Sequence, residues 1–405
     1  MTAAQGTRPA SWLLPFAATL AAMFSLQLSN LGFSPLLPSI QQDFGMSYSQ
    51  LGLFTGLYGL LALLLSVPAG LTAKRFGEKR VVALGLLGVA AGSVLLGEAW
   101  SFASATAFRG LTIFGYRFAF VSVLIGVALT APPSLRGRTM GVVGATSALA
   151  SVVGAPLGGI LVGELGWRVA ILGYGGMAVL GATVFWLFYH PTTDAAGDST
   201  HAIPAADERS AFASPMIWML ALIVGLGGFG QFTVTYFIPS VVRAVYGLDA
   251  AAAGFIISTG YLTAIVVNLA VGLLADRFDK LVVLGMVFVL LAGASASMAI
   301  EHLLTFRLAT AAVIGLGFAA TNQLYGLAGT VLPRREAGNA MGVVSLGAGL
   351  FGFFGPQMLG VLRDVTGSFA TGFRMVAVAD LITLGLIVLL ARVRRRPVPE
   401  GAIAP

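Results

Sequence analysis

Two arginines interrupt one long apolar run of the chain and are the residues best suited to chemistry. Arg117 lies near the middle of the run 102–131, and Arg109 precedes it by eight residues, about 12 Å along a helix. An arginine at the centre of a membrane helix costs about 2.5–3.5 kcal/mol, so it normally faces the protein interior and has a function. A guanidinium recognises a carboxylate through two parallel hydrogen bonds. Because no acidic residue in the first half lies at its depth, we predict that Arg117 binds an anionic substrate.

Neutral polar side chains in neighbouring apolar runs extend the predicted binding site. Gln27 and Asn30 share one helix face because they are three residues apart. The other candidates are Tyr116, Gln231, Tyr236, Tyr261, Asn268, Asn322, Gln323 and Tyr325. Each of these residues alone can equally form an interhelical hydrogen bond worth about 1 kcal/mol. Together with Tyr58 and Arg117 they predict a cavity that is positive, rich in hydroxyl groups and partly aromatic.

The roles of two other charged residues in apolar runs remain open at this point. Arg109 serves either as a structural charge relay or in coupling transport to an ion. Asp380 is the carboxylate that lies well inside an apolar run, and it either pairs with a neighbouring helix or carries a proton. Arg307 begins its run, so its guanidinium can extend to the membrane surface.

No pattern in the sequence predicts an enzyme or a cofactor. There is no cysteine, and the three histidines are scattered, so neither a thiolate site nor a metal-ligand motif is present. The sequence also lacks a Walker A motif and an ordered Ser/His/Asp set. Any energy for work must therefore come from a gradient of an ion or a substrate.

The composition places these residues on membrane-spanning helices. Apolar residues make up 57% of the 405 residues and charged residues 10%, whereas a soluble domain has about 25% charged residues. A helix needs about 20 apolar residues to cross the hydrocarbon. This length predicts twelve spans, at 12–38, 49–72, 81–97, 102–131, 139–162, 169–189, 215–242, 250–275, 281–299, 303–331, 340–361 and 373–391.

One long connection and the basic residues predict the domains and the orientation. The segment 190–214 is rich in Pro, Ala, Asp, Ser and Thr, which predicts a cytoplasmic linker between bundles of six helices at 1–189 and 215–405. With a cytoplasmic N-terminus, inner segments hold sixteen of the 23 basic residues, outer segments four and spans three. The positive-inside rule therefore places both termini in the cytoplasm. The basic tail 392–396 adjoins a span, so it predicts a topology anchor rather than nucleic-acid binding.

An internal repeat relates the two halves. The stretch "GLTAKRFG" at 70–77 returns as "GLLADRFD" at 272–279, and "GRTMGVV" at 137–143 returns as "GNAMGVV" at 338–344. Gly154 corresponds to Gly355, and "GWRVA" at 166–170 is matched with "GFRMV" at 372–376. Such a parallel repeat predicts two homologous bundles related by an axis along the membrane normal, with a substrate site between them.

The repeated charged loop resembles a motif of the major facilitator superfamily, which reads Gly-x-x-x-Asp-Arg-x-Gly-Arg-Lys between spans 2 and 3. The chain resembles this family over its whole length. Lys74 stands where the family usually has aspartate, and Glu78 stands where it usually has a base. The resemblance implies a conformational latch that pairs across the cytoplasmic face in the outward-open state, although Lys79 and Arg80 can equally set topology alone. The latch residues are Gly70, Lys74, Arg75, Gly77, Glu78, Lys79, Gly272, Asp276, Arg277 and Lys280.

The same resemblance implies a mechanism and assigns places to the charged residues. Spans 1, 4, 7 and 10 of the family line the central path, and spans 3, 6, 9 and 12 form an outer ring. Arg109 matches the arginine of span 4 in the family, and Asp380 falls in the outer ring. Glycines and prolines in spans 5, 7 and 11 predict close helix packing and hinges. The predicted hinge residues are Gly154, Pro156, Gly158, Gly225, Gly228, Gly355 and Pro356.

These observations favour a secondary transporter that moves a small organic anion by rocking two halves around a central site. The alternative is proton-coupled drug efflux, although exporters of cationic drugs usually need a carboxylate in the central cavity and span 1 offers none. A membrane sensor or scaffold is disfavoured because the linker and the tails are short. We expect a monomer in a bacterial inner membrane, with a small-molecule substrate, membrane lipid and protons or a counter-substrate as partners, and no nucleic acid.

Overall fold

The computed structural model describes residues 12–132, 135–190, 215–331 and 337–394, and all regular structure in these ranges is helical. Span 1 comprises Leu13–Leu31, a 3₁₀ turn at Ser34–Leu36 and Leu37–Asp43. Spans 5 and 6 share one helical stretch, Arg136–Phe188. The other spans, numbered 2–4 and 7–12 in chain order, are Tyr48–Phe76, Glu78–Gly97, Phe102–Thr130, Pro215–Tyr246, Ala250–Arg277, Lys280–Ser297, Leu303–Val331, Ala337–Thr366 and Ala370–Arg394.

The chain makes twelve passes, as the apolar runs predict. Within the described residues, eleven helical stretches are long and apolar enough to cross a membrane. Arg136–Phe188 has 53 residues and would be about 80 Å long if straight, whereas the hydrocarbon core is about 30 Å thick. The stretch reverses at Gly166, whose φ of 81° glycine adopts without steric cost. The predicted all-α membrane fold is confirmed.

Turn glycines and helix contacts repeat between the two halves at a spacing of 201 or 202 residues. Gly45 and Gly247 have φ angles of 59° and 65° at the turns before spans 2 and 8. A Cβ atom on Gly154 would contact span 1 at Leu28, 3.3 Å from its carbonyl oxygen. Gly355 contacts span 7 in the same way at Phe229, which lies 201 residues after Leu28. The two halves therefore pack their helices alike.

One of the predicted repeat matches has the wrong register. Gly166 forms the turn between spans 5 and 6, and Gly367, with φ of 71°, forms the turn between spans 11 and 12. Gly372, the partner chosen from sequence, lies inside the helix Ala370–Arg394. A Cβ atom on Gly372 would lie 2.7 Å from Cγ of Leu359, so this glycine serves packing and not a turn.

The hydrophobic core is shared at one end of the molecule and divided at the other. At the end with the turns at Gly45, Gly166, Gly247 and Gly367, called the closed end below, one cluster combines residues of both halves. At the opposite end, called the open end, one cluster contains residues from Phe16 to Tyr189 and another contains residues from Ile217 to Leu390. The halves thus pack together at the closed end and separate toward the open end.

Glycines locate the contact between the halves. Gly52, Gly56 and Gly59 on span 2 face span 11 so closely that a Cβ atom would overlap its backbone. Gly254 on span 8 has the same relation to span 5, where a Cβ atom would lie 2.8 Å from the carbonyl carbon of Ala155. Further toward the open end, Gly70, Gly141, Gly144 and Gly342 have no such neighbour within 4 Å. The spans diverge beyond the middle of the bundle.

Several sequence predictions fall on parts of the chain outside the described residues. Apart from His190, the predicted linker 190–214 lies there, as do residues 1–11 and 395–405 of the two predicted domains. So do several basic residues that set the predicted orientation, including Arg8, Arg209, Arg334 and Arg335. The domain boundaries and the cytoplasmic location of the termini stay predictions.

Candidate substrate site

A cavity of about 530 Å³ lies between the two halves, just below the closed end. Eight of the eleven predicted substrate residues line it, because spans 1, 4, 7, 8 and 10 present their polar positions to this space. These residues are Gln27, Asn30, Tyr116, Gln231, Tyr236, Tyr261, Asn268 and Asn322. The wall contains neither an acidic nor a basic residue. A ligand in the cavity would meet neutral amides, phenols and hydroxyl groups.

The polar residues of the cavity are held by bonds within each half. Tyr116 donates a hydrogen bond from its hydroxyl to Oε1 of Gln27, which joins span 4 to span 1. Asn322 donates from Nδ2 to Oδ1 of Asn268 over 3.3 Å, which joins span 10 to span 8. The Tyr58 ring packs on Tyr116 with a centroid separation of 5.8 Å. These contacts orient the amide and phenol groups before a ligand arrives.

Arg117, the residue predicted to bind substrate, does not line the cavity. Its guanidinium carbon lies 4.6 Å from the centroid of the Tyr58 ring, and Tyr58 is part of the cavity wall. Its buried Nε atom has no hydrogen-bond partner among the described residues. In this conformation Tyr58 is the residue that connects Arg117 with the cavity wall.

Arg109 is enclosed more completely than Arg117. It is 3% exposed, and its guanidinium carbon lies 3.7 Å from the centroid of the Phe33 ring. Its Nε atom also lacks a hydrogen-bond partner within the described ranges. The guanidinium is close enough to interact electrostatically with Tyr58 and Tyr236, which line the cavity. Two arginine charges thus surround a neutral wall, each resting on an aromatic ring.

Asp380 pairs with a neighbouring helix, as one of the two predicted alternatives states. Asp380 is 2% exposed, and its carboxyl group accepts a hydrogen bond of 2.9 Å from the Ser295 hydroxyl on span 9. On its other side lies span 7, where a Cβ atom on Gly230 would be 3.7 Å from Oδ1 of Asp380. The residue is thus placed in the outer ring, away from the cavity wall, and a coupling role stays a prediction.

Gln323 and Tyr325 were predicted to bind substrate, but they lie outside the cavity wall. The Gln323 amide faces span 8, since a Cβ atom on Gly272 would lie 3.8 Å from its Nε2 atom. Tyr325 packs on the open-end core of the second half and interacts with Ser345 on span 11. Both residues follow Asn322 on the same helix, and helix rotation turns them away from the cavity.

The predicted hinge residues serve close packing in this conformation. Gly158 lies against span 1, where a Cβ atom would be 2.6 Å from the Tyr174 hydroxyl and 3.3 Å from the carbonyl carbon of Gly32. Gly225 lies against span 11, with Gly347 in contact. Pro156 and Pro356 belong to the backbone that meets Gly254 and Gly52 of the other half. Span 7 runs through Gly225 and Gly228 as one helix, so bending there stays a prediction.

The predicted latch makes no ion pair within the described part of the chain. Glu78 accepts a hydrogen bond of 2.9 Å from the Tyr189 hydroxyl. The burial of Tyr189 raises the pKa of its hydroxyl most, and the negative charge of Glu78 raises it further. Lys79 and Arg75 lie near aromatic rings, at 5.2 Å from the centroids of Trp186 and Phe76 respectively. The unpaired state agrees with the separation of the halves at the open end, but the latch role stays untested.

The closed end is held by polar contacts that the sequence did not reveal. Asp364 of span 11 accepts hydrogen bonds from the backbone N–H groups of Tyr48 (3.0 Å) and Ser49 (2.8 Å) at the start of span 2. An acidic residue in the last turn of a helix interacts unfavourably with the helix dipole. The position of Asp364 in the sequence could therefore have indicated that its carboxylate binds a group outside its own helix. Asp43 and Arg168, within the first half, form the one ion pair found among described residues.

The halves also meet through residues that occupy equivalent positions. The Ser34 hydroxyl donates a hydrogen bond of 3.0 Å to the carbonyl oxygen of Thr235, 201 residues later. Arg243 donates from Nη2 to Oε1 of Gln42 over 2.6 Å, and these residues are again 201 apart. Contacts between equivalent positions place spans 1 and 7 beside the pseudo-two-fold axis, above the cavity.

Comparison with known proteins gives matches over nearly the whole chain. The sequence model of the Major Facilitator Superfamily matches residues 17–356. The "Putative tartrate transporter" of Agrobacterium vitis is 23% identical over 427 residues, which cover 97% of this chain and 95% of that protein. The "Probable sulfoacetate transporter SauU" of Cupriavidus necator is 25% identical over 377 residues, which cover 86% of this chain and 87% of that protein.

A solved structure shares the architecture. It is a bacterial homologue of the human lysosomal transporter Spinster in an inward-facing, unoccupied conformation. The TM-score is 0.79 at 17% identity, and the match covers 97% of this chain and 100% of that one. At this identity the likeness establishes the fold alone.

Proposed function

This chain belongs to the Major Facilitator Superfamily, and on that premise we propose that it transports a small organic anion of the carboxylate type. As a member of this family it is a multi-pass membrane transporter of small molecules, not an enzyme. In our proposal the two halves rock around the central cavity, so that the contacts at the closed end break as the open end closes and the cavity faces each side of the membrane in turn. A proton or a counter-substrate drives the cycle.

The positive charge around the cavity is the main observation that supports an anionic substrate. The wall contains no carboxylate, and Arg109 and Arg117 have no acidic partner among the described residues. A buried charge without a partner is costly in a low-dielectric interior, and an anion nearby reduces that cost. A cation in the same space would be repelled. This argument favours an anion over a cationic drug.

The neutral wall supports recognition of the rest of the substrate. Amides such as Asn30 and Gln231 and the phenol of Tyr236 offer both donors and acceptors to hydroxyl or carboxylate oxygens. In our proposal the Tyr58 ring moves when an anion binds, so that Arg117 pairs with the carboxylate directly. The two relatives named above for tartrate and sulfoacetate, both small organic anions, support the same class.

Thermal stability of the detergent-purified protein tests the proposal. Tartrate, sulfoacetate, nitrate and lipophilic cationic drugs are added in turn, and the melting temperature is measured. A ligand at 100 times its Kd adds about 2.7 kcal/mol of stability when it binds the folded form alone. We expect an organic anion to give this shift in the wild type and in Arg307→Gln, a control that removes an exposed arginine. Arg117→Gln should lose the shift and keep its melting temperature without ligand within a few degrees.

Two outcomes would contradict the anion proposal. An unchanged affinity in Arg117→Gln would remove the role of this arginine. Stabilisation by lipophilic cations alone would favour the alternative, proton-coupled drug efflux.

The remaining parts of the proposal concern location and assembly. We place the protein as a monomer in a bacterial inner membrane, with both termini and the open end at the cytoplasm, because basic residues are concentrated at that end. Labelling of a single introduced cysteine near Arg75 or near Gly45 in intact cells tests the orientation, since the chain has no native cysteine.

A further inference from the structure

A groove of about 470 Å³ runs along the outer surface between spans 3 and 6 at the open end. Arg80, Leu84 and Leu87 form its wall on span 3, at the spacing that places side chains on one helix face. Trp186 and Leu187 form the facing wall on span 6. The groove is separate from the central cavity, and the proposed transport does not use it.

The groove faces outward with large apolar side chains. Leu84 is 68% exposed and Leu187 is 58% exposed, and Leu87 and Trp186 are about half exposed. Because spans 3 and 6 cross the membrane, the medium against these side chains is the acyl chain of a lipid. The tryptophan lies in the last turn before the helix ends at Phe188, at the level where aromatic side chains meet lipid headgroups.

Two cations close the groove at that level. Arg80 is part of the groove wall, and the Lys79 ammonium lies 5.2 Å from the centroid of the Trp186 ring. The neighbouring acid, Glu78, is bound to the Tyr189 hydroxyl over 2.9 Å and forms no ion pair with either cation within the described residues. An apolar groove with two cations at its end, neither of which has an acidic partner among the described residues, matches a lipid with an anionic headgroup.

We propose that this groove binds one anionic phospholipid, with its phosphate on Lys79 and Arg80 and one acyl chain between spans 3 and 6. The cation–π contact holds the ammonium of Lys79 beside the indole, where both meet the headgroup. The bound lipid joins the two outer helices of the first half.

The equivalent groove of the second half serves as an internal comparison. It lies between spans 9 and 12 with a volume of about 420 Å³, and Asp279 and Arg392 both line it. The Asp279 carboxylate accepts a hydrogen bond of 2.8 Å from the backbone N–H of Leu281, so a negative charge is fixed at this groove. Asp279 offsets the charge of Arg392 there, whereas the first groove is lined by Arg80 and by no acidic residue, so an anionic headgroup is attracted less strongly to the second groove. The site therefore belongs to the first half.

Native mass spectrometry and melting curves of the full chain in detergent test the site. The probes are phosphatidylglycerol, phosphatidylcholine and inorganic phosphate. We expect phosphatidylglycerol to remain bound and to raise the melting temperature, while the other two probes do neither. The double variant Lys79→Gln/Arg80→Gln should lose at least four fifths of this binding, whereas Lys79→Arg/Arg80→Lys should retain it.

Two further variants keep the test decisive. Leu84→Trp fills the groove at an exposed position without changing charge, and it should also reduce lipid binding severalfold. Arg392→Gln removes a cation from the second groove and should bind as the wild type does. The proposal is overturned if phosphatidylcholine or inorganic phosphate gives the same stabilisation. It is also overturned if both the charge-neutral double variant and Leu84→Trp bind phosphatidylglycerol like the wild type.

Discussion

At the scale of single residues, side-chain size decides how closely the helices of this protein approach. Gly158 on span 5 touches Gly32 on span 1 and the Tyr174 hydroxyl on span 6. Tyr174 in turn donates a hydrogen bond of 2.9 Å to the carbonyl oxygen of Gly154. In a membrane, helices associate through such close van der Waals contacts, because lipid is as apolar as leucine. A methyl group added at Gly158 would therefore overlap neighbouring atoms.

Gly158→Ala should therefore lower the stability of the protein. The added Cβ atom would overlap the Gly32 carbonyl and lie 2.6 Å from the Tyr174 hydroxyl, and overpacking of this kind costs about 1–3 kcal/mol. Gly163→Ala on the same helix is the matched control, since nothing lies within 4 Å of its added Cβ atom. Melting temperatures of both variants in one detergent check the prediction. Equal melting temperatures of the two variants would show that span 5 can shift to accommodate the methyl group at position 158 without loss of stability.

At the scale of helices, the start of span 2 depends on a residue from the other half. Its own cap, Ser47, accepts from the backbone N–H of Gln50 and forms a capping box with that residue. The N–H groups of Tyr48 and Ser49 point instead at the Asp364 carboxylate of span 11. A helix start attracts negative charge, so this contact joins the two halves at the closed end.

Asp364→Ala should weaken the closed end. Loss of a cap costs about 0.5–2 kcal/mol, so the population that opens at this end should rise about 2- to 30-fold. Thr55 is 3% exposed and shares a helix face with Gly52 and Gly59, which face span 11. A cysteine at position 55 should react with a maleimide faster in Asp364→Ala than in the parent protein.

Asp279→Ala is the control for that comparison. Asp279 caps span 9 within its own half, at the open end, through the N–H groups of Leu281 and Val282. Its loss should lower stability without exposing position 55. An equal gain in labelling for both variants would mean that the capping contact does not couple the halves.

At the scale of the whole molecule, two contact surfaces close the same end. Span 2 meets span 11 on one side of the pseudo-two-fold axis, and span 5 meets span 8 on the other side. At the second surface the Ser258 hydroxyl donates a hydrogen bond of 2.8 Å to the carbonyl oxygen of Val152. Each half has its own core at the open end. Such an arrangement allows each half to move as a rigid body, so both surfaces should open together.

Gly254→Leu tests whether they do. The Cβ atom of the new side chain would lie 2.8 Å from the carbonyl carbon of Ala155 in the backbone of span 5. The leucine should therefore force spans 5 and 8 apart. If the halves are rigid, a cysteine at position 55 on the far side of the axis should become severalfold more reactive. Gly176→Leu, whose Cβ atom has no neighbour within 4 Å, should leave the labelling rate unchanged. Unchanged reactivity in Gly254→Leu would indicate local deformation in place of rocking.

The position of the cavity residues was predictable to the extent that helix periodicity and depth decide it. Gln27, Asn30 and Asn268 lie in apolar runs where an unpaired amide is costly, so they turn inward. Gln323 and Tyr325 obey the same rule, yet they turn toward neighbouring helices instead of the cavity. Depth and polarity show that a side chain faces the interior, whereas the crossing of neighbouring helices decides which interior space it meets.

The amino-acid sequence by itself determined the twelve spans, the two repeated halves, the family and the choice of polar residues, because hydropathy, glycine spacing and buried charge are local properties. Only the tertiary structure decided that one end is closed, that Asp364 joins the halves, and that Arg117 and Arg109 lie outside the cavity wall, against the rings of Tyr58 and Phe33. It also replaced Gly372 by Gly367 as the equivalent of Gly166. These facts depend on contacts between residues that are far apart in the sequence, and only packing in three dimensions brings such residues together.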